Sequence, residues 1–349
     1  MIKERNYGID LLRIVAIFMV CTVHIIIPGG ALSPATKGST NYAVLNLIAV
    51  CTMCAVNCFA LISGYAATNK PIKYSKIVNM WFQAFFYSFA VSLTLSLVGV
   101  GAPLGIKDLI KLALPVTFNQ FWYFSSYVLL FFALPILNNY LFNLNKTSAQ
   151  KLFFVLIILC SVISVPTDPF FTNYGYSPLW LMIMYCLGVL AKKIRLFEER
   201  KTYILIILFV LSTLVTWALE MFKIHILYHY ISPTIIFNAL ALVVLFSRIR
   251  VNGTIISKIS PLVFGVYLFQ MSHVIWHELL QNRFAFIAEK PLPLCLLYVF
   301  FFAACIFISG LAIEFLRSKL AKVLRIHLLS EKIITWARYL FEKISVLTK

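Results

Sequence analysis

Asp10, Arg13 and His24 fall within one apolar run, Tyr7 to Pro28. An acid, a guanidinium and an imidazole in such a run are equipped for proton transfer and for holding charge. Eleven residues of α-helix turn through about 1100° and rise ~16 Å. Arg13 and His24 therefore project from the same helix face, roughly half a bilayer apart. Asp10 precedes Arg13 by three residues, so its carboxylate can pair with the guanidinium. A cation at that depth is costly unless it faces the protein interior or a wet cavity. The stripe reads as the lining of a functional cavity, with His24 as a general base toward a hydroxyl. The competing reading has Arg13 snorkelling from the start of the helix, which leaves His24 on the same face unexplained.

Further polar groups recur at membrane depth. The second apolar run ends Ser63-Gly64-Tyr65 and is followed by Lys70, Lys73 and Lys76. Gly64 allows close backbone approach, and the lysines can hold an anionic ligand; each is equally at home in an ordinary basic loop. The fourth run opens with Phe121, Trp122 and Tyr123, which suit either an interfacial aromatic belt or a platform for a sugar ring. In the ninth run Tyr267, Gln270 and His273 are spaced by three. They form a second polar wall for the same cavity or hydrogen bonds between helices. His225 and His229 lie in a loop and receive no role. Cys51, Cys54 and Cys58 are spaced as on a helix, and small side chains at a helix contact account for them better than a soft-metal site. No metal site, tightly bound cofactor, nucleophilic triad or phosphate-cradling glycine loop is expected.

The elements that must position these groups are membrane helices. Of the 349 residues 62% are hydrophobic and 12% charged, and the mean hydropathy is +0.92; a soluble domain carries about twice that charge. The expected fold is all-α and polytopic, with about ten transmembrane helices at 8–28, 42–66, 77–99, 121–142, 152–166, 177–191, 203–219, 231–247, 260–280 and 292–312. Of the 30 Lys and Arg, 23 then fall on the side of the N-terminus and six on the other, with Arg13 in the membrane. That asymmetry places both termini in the cytoplasm of a multi-pass protein of the cell membrane. The net charge of +18 faces anionic headgroups, so membrane lipids rather than nucleic acid are the expected polyanionic partner. The first run is long and holds Arg13, so it reads as an uncleaved helix rather than a signal peptide. Residues 1–316 are expected to form the membrane domain. Residues 317–349 are expected to form a basic amphipathic tail on the inner membrane surface, with Leu320, Leu324, Leu328, Ile333, Trp336, Leu340 and Ile344 near helical spacing.

Asp10-x-x-Arg13 followed by ten residues and His24 resembles the signature of the acyltransferase family 3 membrane proteins. Ser63-Gly64-Tyr65, Phe121-Trp122-Tyr123 with Pro135 and Asn138, and Phe264-Gly265-Val266-Tyr267-Leu268 follow in the family's order, so the resemblance covers roughly residues 7–312. The set is most similar to compact Gram-positive members that modify surface glycans. The resemblance implies transfer of an acyl group, usually acetyl, from cytoplasmic acyl-CoA to a hydroxyl of an extracytoplasmic or lipid-linked carbohydrate. His24 matches the family's catalytic base, and Arg13 the arginine that organises the donor or the histidine. Lys70, Lys73 and Lys76, with Ser63 and Tyr65 beside them, would meet the CoA donor; Trp122, Tyr123, Tyr267, Gln270 and His273 would meet the acceptor. Two departures stand out. Many relatives carry a histidine shortly after the Tyr-Leu pair, where this chain has Gln270 and places His273 one turn further. An arginine common after Ser-Gly-Tyr is replaced here by lysine. Two other function classes remain on the residues alone: a transporter or polysaccharide flippase with Asp10, Arg13 and His24 as ion relay, and a membrane sensor without turnover.

Overall fold

The structure, a computed structural model, describes residues 5–32 and 37–347; Lys3 and Lys349, part of the charge pattern, lie outside the described residues. The regular structure of the described residues is all helical, with no strand among them. The helices are α1 (Tyr7–Ile26), α2 (Thr40–Met53), α3 (Ala55–Tyr65), α4 (Ser75–Phe85), α5 (Ser92–Leu97), α6 (Ile106–Ala113), α7 (Trp122–Asn143) and α8 (Lys146–Ile157). They continue as α9 (Pro178–Lys193), α10 (Thr202–Met221), α11 (Pro233–Arg248), α12 (Gly253–Ile259), α13 (Val263–Gln270), α14 (Leu292–Val323) and α15 (Ile326–Leu347). Some are pieces of one span. Cys54 alone separates α2 from α3, where the Thr52 hydroxyl donates back to the Ile48 and Ala49 carbonyls, a bond that bends helices. A π-turn, Phe86–Val91, joins α4 to α5.

Among the described residues, eight helical stretches are long and apolar enough to cross a membrane. Every expected run contains helix, but those at 177–191 and 231–247 become α9 and α11, each of 16 residues. The ninth run is redrawn. Its span begins earlier, at Gly253, and ends at Gln270, and a separate π-turn occupies Ile275–Leu280. Likewise α14 passes residue 316 unbroken to Val323. The chain turns at Arg325, whose φ is +52°, before α15 docks on α4 through Ser330 and Asn79.

The helix that carries Arg13 and His24 is the hub of the bundle: α1 packs against α2, α3, α11, α13 and α14. Glycines set how closely these helices approach. A Cβ on Gly8 would lie 2.0 Å from the Phe246 carbonyl oxygen of α11. One on Gly64 would lie 2.0 Å from the Tyr185 oxygen of α9, and one on Gly188 2.2 Å from the Leu61 oxygen of α3. The glycine of Ser63-Gly64-Tyr65 is thus half of a two-glycine crossing that brings two backbones together, as small residues do between membrane helices. Peripheral helices turn large apolar side chains outward, including Phe132 and Ile136 on α7, Ile206 and Leu211 on α10, and Phe301 and Ile308 on α14. Surface of that kind is stable against hydrocarbon, not water.

Candidate active site

At the N-terminal end of α1 the Asn6 side chain caps the helix by accepting from the Ile9 amide. Asp10, 3% exposed, accepts from the side chains of both Arg5 and Arg13 and from the Ser260 hydroxyl at 3.3 Å. One buried carboxylate therefore organises two guanidiniums, which satisfies its own desolvation cost. Arg13 remains partly exposed and turns toward a cavity.

Eleven residues along the unbroken helix, His24 lines the other end of that cavity. Its Nδ1 lies 3.0 Å from Gln270 Oε1. An amide oxygen only accepts, so Nδ1 carries the proton and Nε2 keeps its lone pair. The Trp276 ring meets the imidazole edge-on at 5.2 Å, which holds the ring plane. Gln270 is itself fully buried beside the Cys21 thiol, and its Nε2 has no hydrogen-bond partner. A hydrogen-bonded imidazole with one free nitrogen is what general-base catalysis requires.

The cavity between Arg13 and His24 is about 680 Å³. Its walls are mostly apolar and aromatic, from α1, α3, α7 and α13 together with Tyr176 and Tyr230 from loops. Tyr267 faces it, and the Tyr267 hydroxyl accepts from the Tyr123 backbone N–H at 3.2 Å. Tyr123 is the second residue of α7, a 22-residue helix, so the positive end of that helix backs the phenol and leaves its proton to donate elsewhere. A base at one point and a polarised donor three residues before the base's own support is the equipment of acyl transfer.

The sequence model for an acyltransferase domain, that of acyltransferase family 3, matches residues 6–313. The chain belongs to acyltransferase family 3. It is a membrane-embedded acyltransferase. No curated protein and no solved structure matched it.

The acyltransferase brings together some of the residues singled out above and disperses others. Arg13, His24, Ser63, Trp122, Tyr123 and Tyr267 all line the cavity, although the Ser63 hydroxyl is spent on the Phe59 carbonyl at 2.9 Å. Trp122 and Tyr123 turn inward, so they are not an outward-facing belt. Gln270 stands behind His24 and supports it rather than facing the cavity. His273 is displaced from the polar stripe because α13 ends at Gln270 and the chain turns through Met271 and Ser272. Its ring is exposed and packs on His277 at 4.8 Å, away from the cavity lining. Tyr65 also leaves the lining: its carbonyl accepts from Lys192, whose Nζ lies over its ring at 5.3 Å. Lys70 and Lys73 are exposed on the link between α3 and α4, Lys76 is exposed in the first turn of α4, and none of the three lines the cavity. The sequence reading missed Tyr127, Tyr176, Tyr230, Ser260 and Trp276. Trp276 and Ser260 flank the Tyr267 stripe, a signal that was present. Tyr176 and Tyr230 lie in loops and carried none.

Proposed function

We propose that this chain is an O-acyltransferase that moves an acyl group, acetyl by preference, from acyl-CoA to a hydroxyl of a cell-surface or lipid-linked carbohydrate. The observation that carries the reading is His24, held from behind by Gln270, in the wall of an aromatic cavity that Arg13 also lines. His24 Nε2 takes the proton of the acceptor hydroxyl as its oxygen attacks the thioester carbonyl carbon. Negative charge then develops on the carbonyl oxygen, where the Tyr267 hydroxyl is the best-supported donor. The C–S bond breaks, and His24 returns its proton to the departing thiolate of CoA. Arg13, held by Asp10, draws the donor toward the base, and Lys70, Lys73 and Lys76 supply positive charge for CoA phosphates outside the cavity.

The orientation follows from charge. With α9 and α11 counted beside the eight longer helices the spans would number ten. The excess of Lys and Arg on the N-terminal side supports termini and lysine-rich links on the cytoplasmic side of the cell membrane, with the donor reaching the site from inside and the acceptor from outside. The family match does not favour an ion-relay transporter. The test is transfer of radiolabel from acetyl-CoA to a crude surface-glycan extract by the full chain in liposomes. Label on carbohydrate with wild type, lost in a folded His24→Ala variant, is the expected result. Equal transfer by that variant would remove His24 from the mechanism, and no transfer by wild type to any carbohydrate would overturn the acceptor assignment.

A further inference from the structure

The loop before α9 is built around one carboxylate. Asp168 Oδ1 accepts from the Thr172 amide at 3.0 Å and the Thr172 hydroxyl at 2.6 Å, and Oδ2 accepts from the Tyr174 amide at 3.1 Å. Within this loop Asp168, Phe171, Asn173 and Tyr174 hold positive φ of 45° to 55°, and Gly175 holds +103°. Backbone in that region is costly for residues with a Cβ and persists where surrounding contacts enforce it. At Gly175 a Cβ would lie 2.4 Å from that of Tyr230, so glycine is needed for close approach as well as for φ.

The product of this geometry is the position of Tyr176. Its ring centroid lies 4.8 Å from that of Trp122 and 4.9 Å from that of Tyr230, and all three rings line the cavity. Tyr230 is fixed independently. Its carbonyl accepts from Asn57 at 2.8 Å, Asn57 accepts from the Trp180 indole at 2.9 Å, and the Ser161 hydroxyl holds the next carbonyl, that of Ile231. Three separate chain segments thus converge on one continuous aromatic wall, with Tyr176 still 48% exposed and open to a ligand.

We propose that Trp122, Tyr176 and Tyr230 form the acceptor subsite and take a pyranose ring, an inference that rests on the carbohydrate-acceptor reading above. A pyranose presents an apolar C–H face that stacks on aromatic rings, and hydroxyls at its edge that the two tyrosine hydroxyls can bind. The wall does not suit the other substrate. The nucleotide end of CoA carries phosphates, whereas among the described residues the only arginine or lysine lining the cavity is Arg13, ~16 Å from His24 along α1.

The test is saturation-transfer NMR on the full chain in nanodiscs, irradiating aromatic protons, with methyl glucoside, methyl galactoside and methyl N-acetylglucosaminide as probes. It is run beside the radiolabel assay. Saturation should reach the ring C–H protons of at least one probe in wild type and in His24→Ala, and should fall away in Tyr176→Ala and Trp122→Ala. In the transfer assay Tyr176→Ala should raise the glycan KM about ten-fold, with kcat nearly unchanged, and Tyr176→Phe should raise it by clearly less, because it keeps the stacking ring and gives up only the hydroxyl contact. Transfer that depends on His24 but has the wild-type KM in Tyr176→Ala would overturn the subsite and leave the acyltransferase reading standing. Stacking of a probe on the wall with no transfer to any carbohydrate would leave the wall a sugar site and overturn the acceptor assignment. Neither signal in folded wild-type protein would overturn both.

Discussion

Replacing Gln270 with leucine removes the acceptor that orients His24 while keeping much of the side-chain volume. During transfer the imidazole becomes a cation, so its Nδ1–H bond to Gln270 Oε1, 3.0 Å in the resting state, strengthens as the reaction proceeds. A hydrogen bond to a charged group contributes about 1.5–3 kcal/mol, and each 1.36 kcal/mol of transition-state stabilisation is about ten-fold in rate. Only the gain over the neutral bond, about 1–1.5 kcal/mol, acts on the chemical step, so the expected fall in kcat is roughly 5- to 13-fold. Stability should respond differently. Leucine leaves the His24 N–H unpaired, at a cost of about 1–3 kcal/mol. It also removes an amide Nε2 that is already buried without a partner and carries a similar cost. The two offset, and the unfolding midpoint should stay close to wild type. The assay is the initial rate of radiolabelled acyl transfer over donor and acceptor concentration, beside thermal unfolding of the same nanodisc sample. A kcat within about two-fold of wild type in a folded Gln270→Leu protein would refute the orienting role, because losing a hydrogen bond to a charged group costs more than that.

Three further outcomes follow from the packing. Gly64→Val must push α3 off α9, because the added Cβ meets the Tyr185 carbonyl at 2.0 Å; the yield of monodisperse protein should collapse, whereas Ser63→Ala should be tolerated. Tyr267→Phe removes the donor backed by the start of α7 and should lower kcat about 100- to 1,000-fold with little change in either KM, as loss of an oxyanion donor does. Unchanged kcat would assign Tyr267 to helix capping alone. Asp168→Ala breaks the three bonds that hold its loop; the acceptor KM should rise while kcat at saturating acceptor persists, measured in the same transfer assay.

The all-helical membrane architecture and the pairing of Arg13 with His24 were legible in the residues because they depend only on local rules. Long apolar runs must close their backbone hydrogen bonds as helices in lipid, and two residues eleven apart on such a helix share a face. Asp10 beside Arg13 followed from the same spacing. What the chain alone determined about this protein is thus a polytopic helical protein with an acid, arginine and histidine stripe on its first helix, and motifs that resemble one acyltransferase family. Tertiary structure decided which groups meet across the sequence. Gln270 reaches His24 over 246 positions, and no periodicity in either helix specifies that contact. Constant helical spacing carried His273 into the same stripe, but α13 stops at Gln270 and the turn swings His273 away. Residue-level pattern also held no sign of Tyr176 or Tyr230. Their place on the cavity is set by a left-handed loop tied to Asp168 and by an Asn57–Trp180 bridge between helices, and such non-local bonds exist only once the bundle has closed.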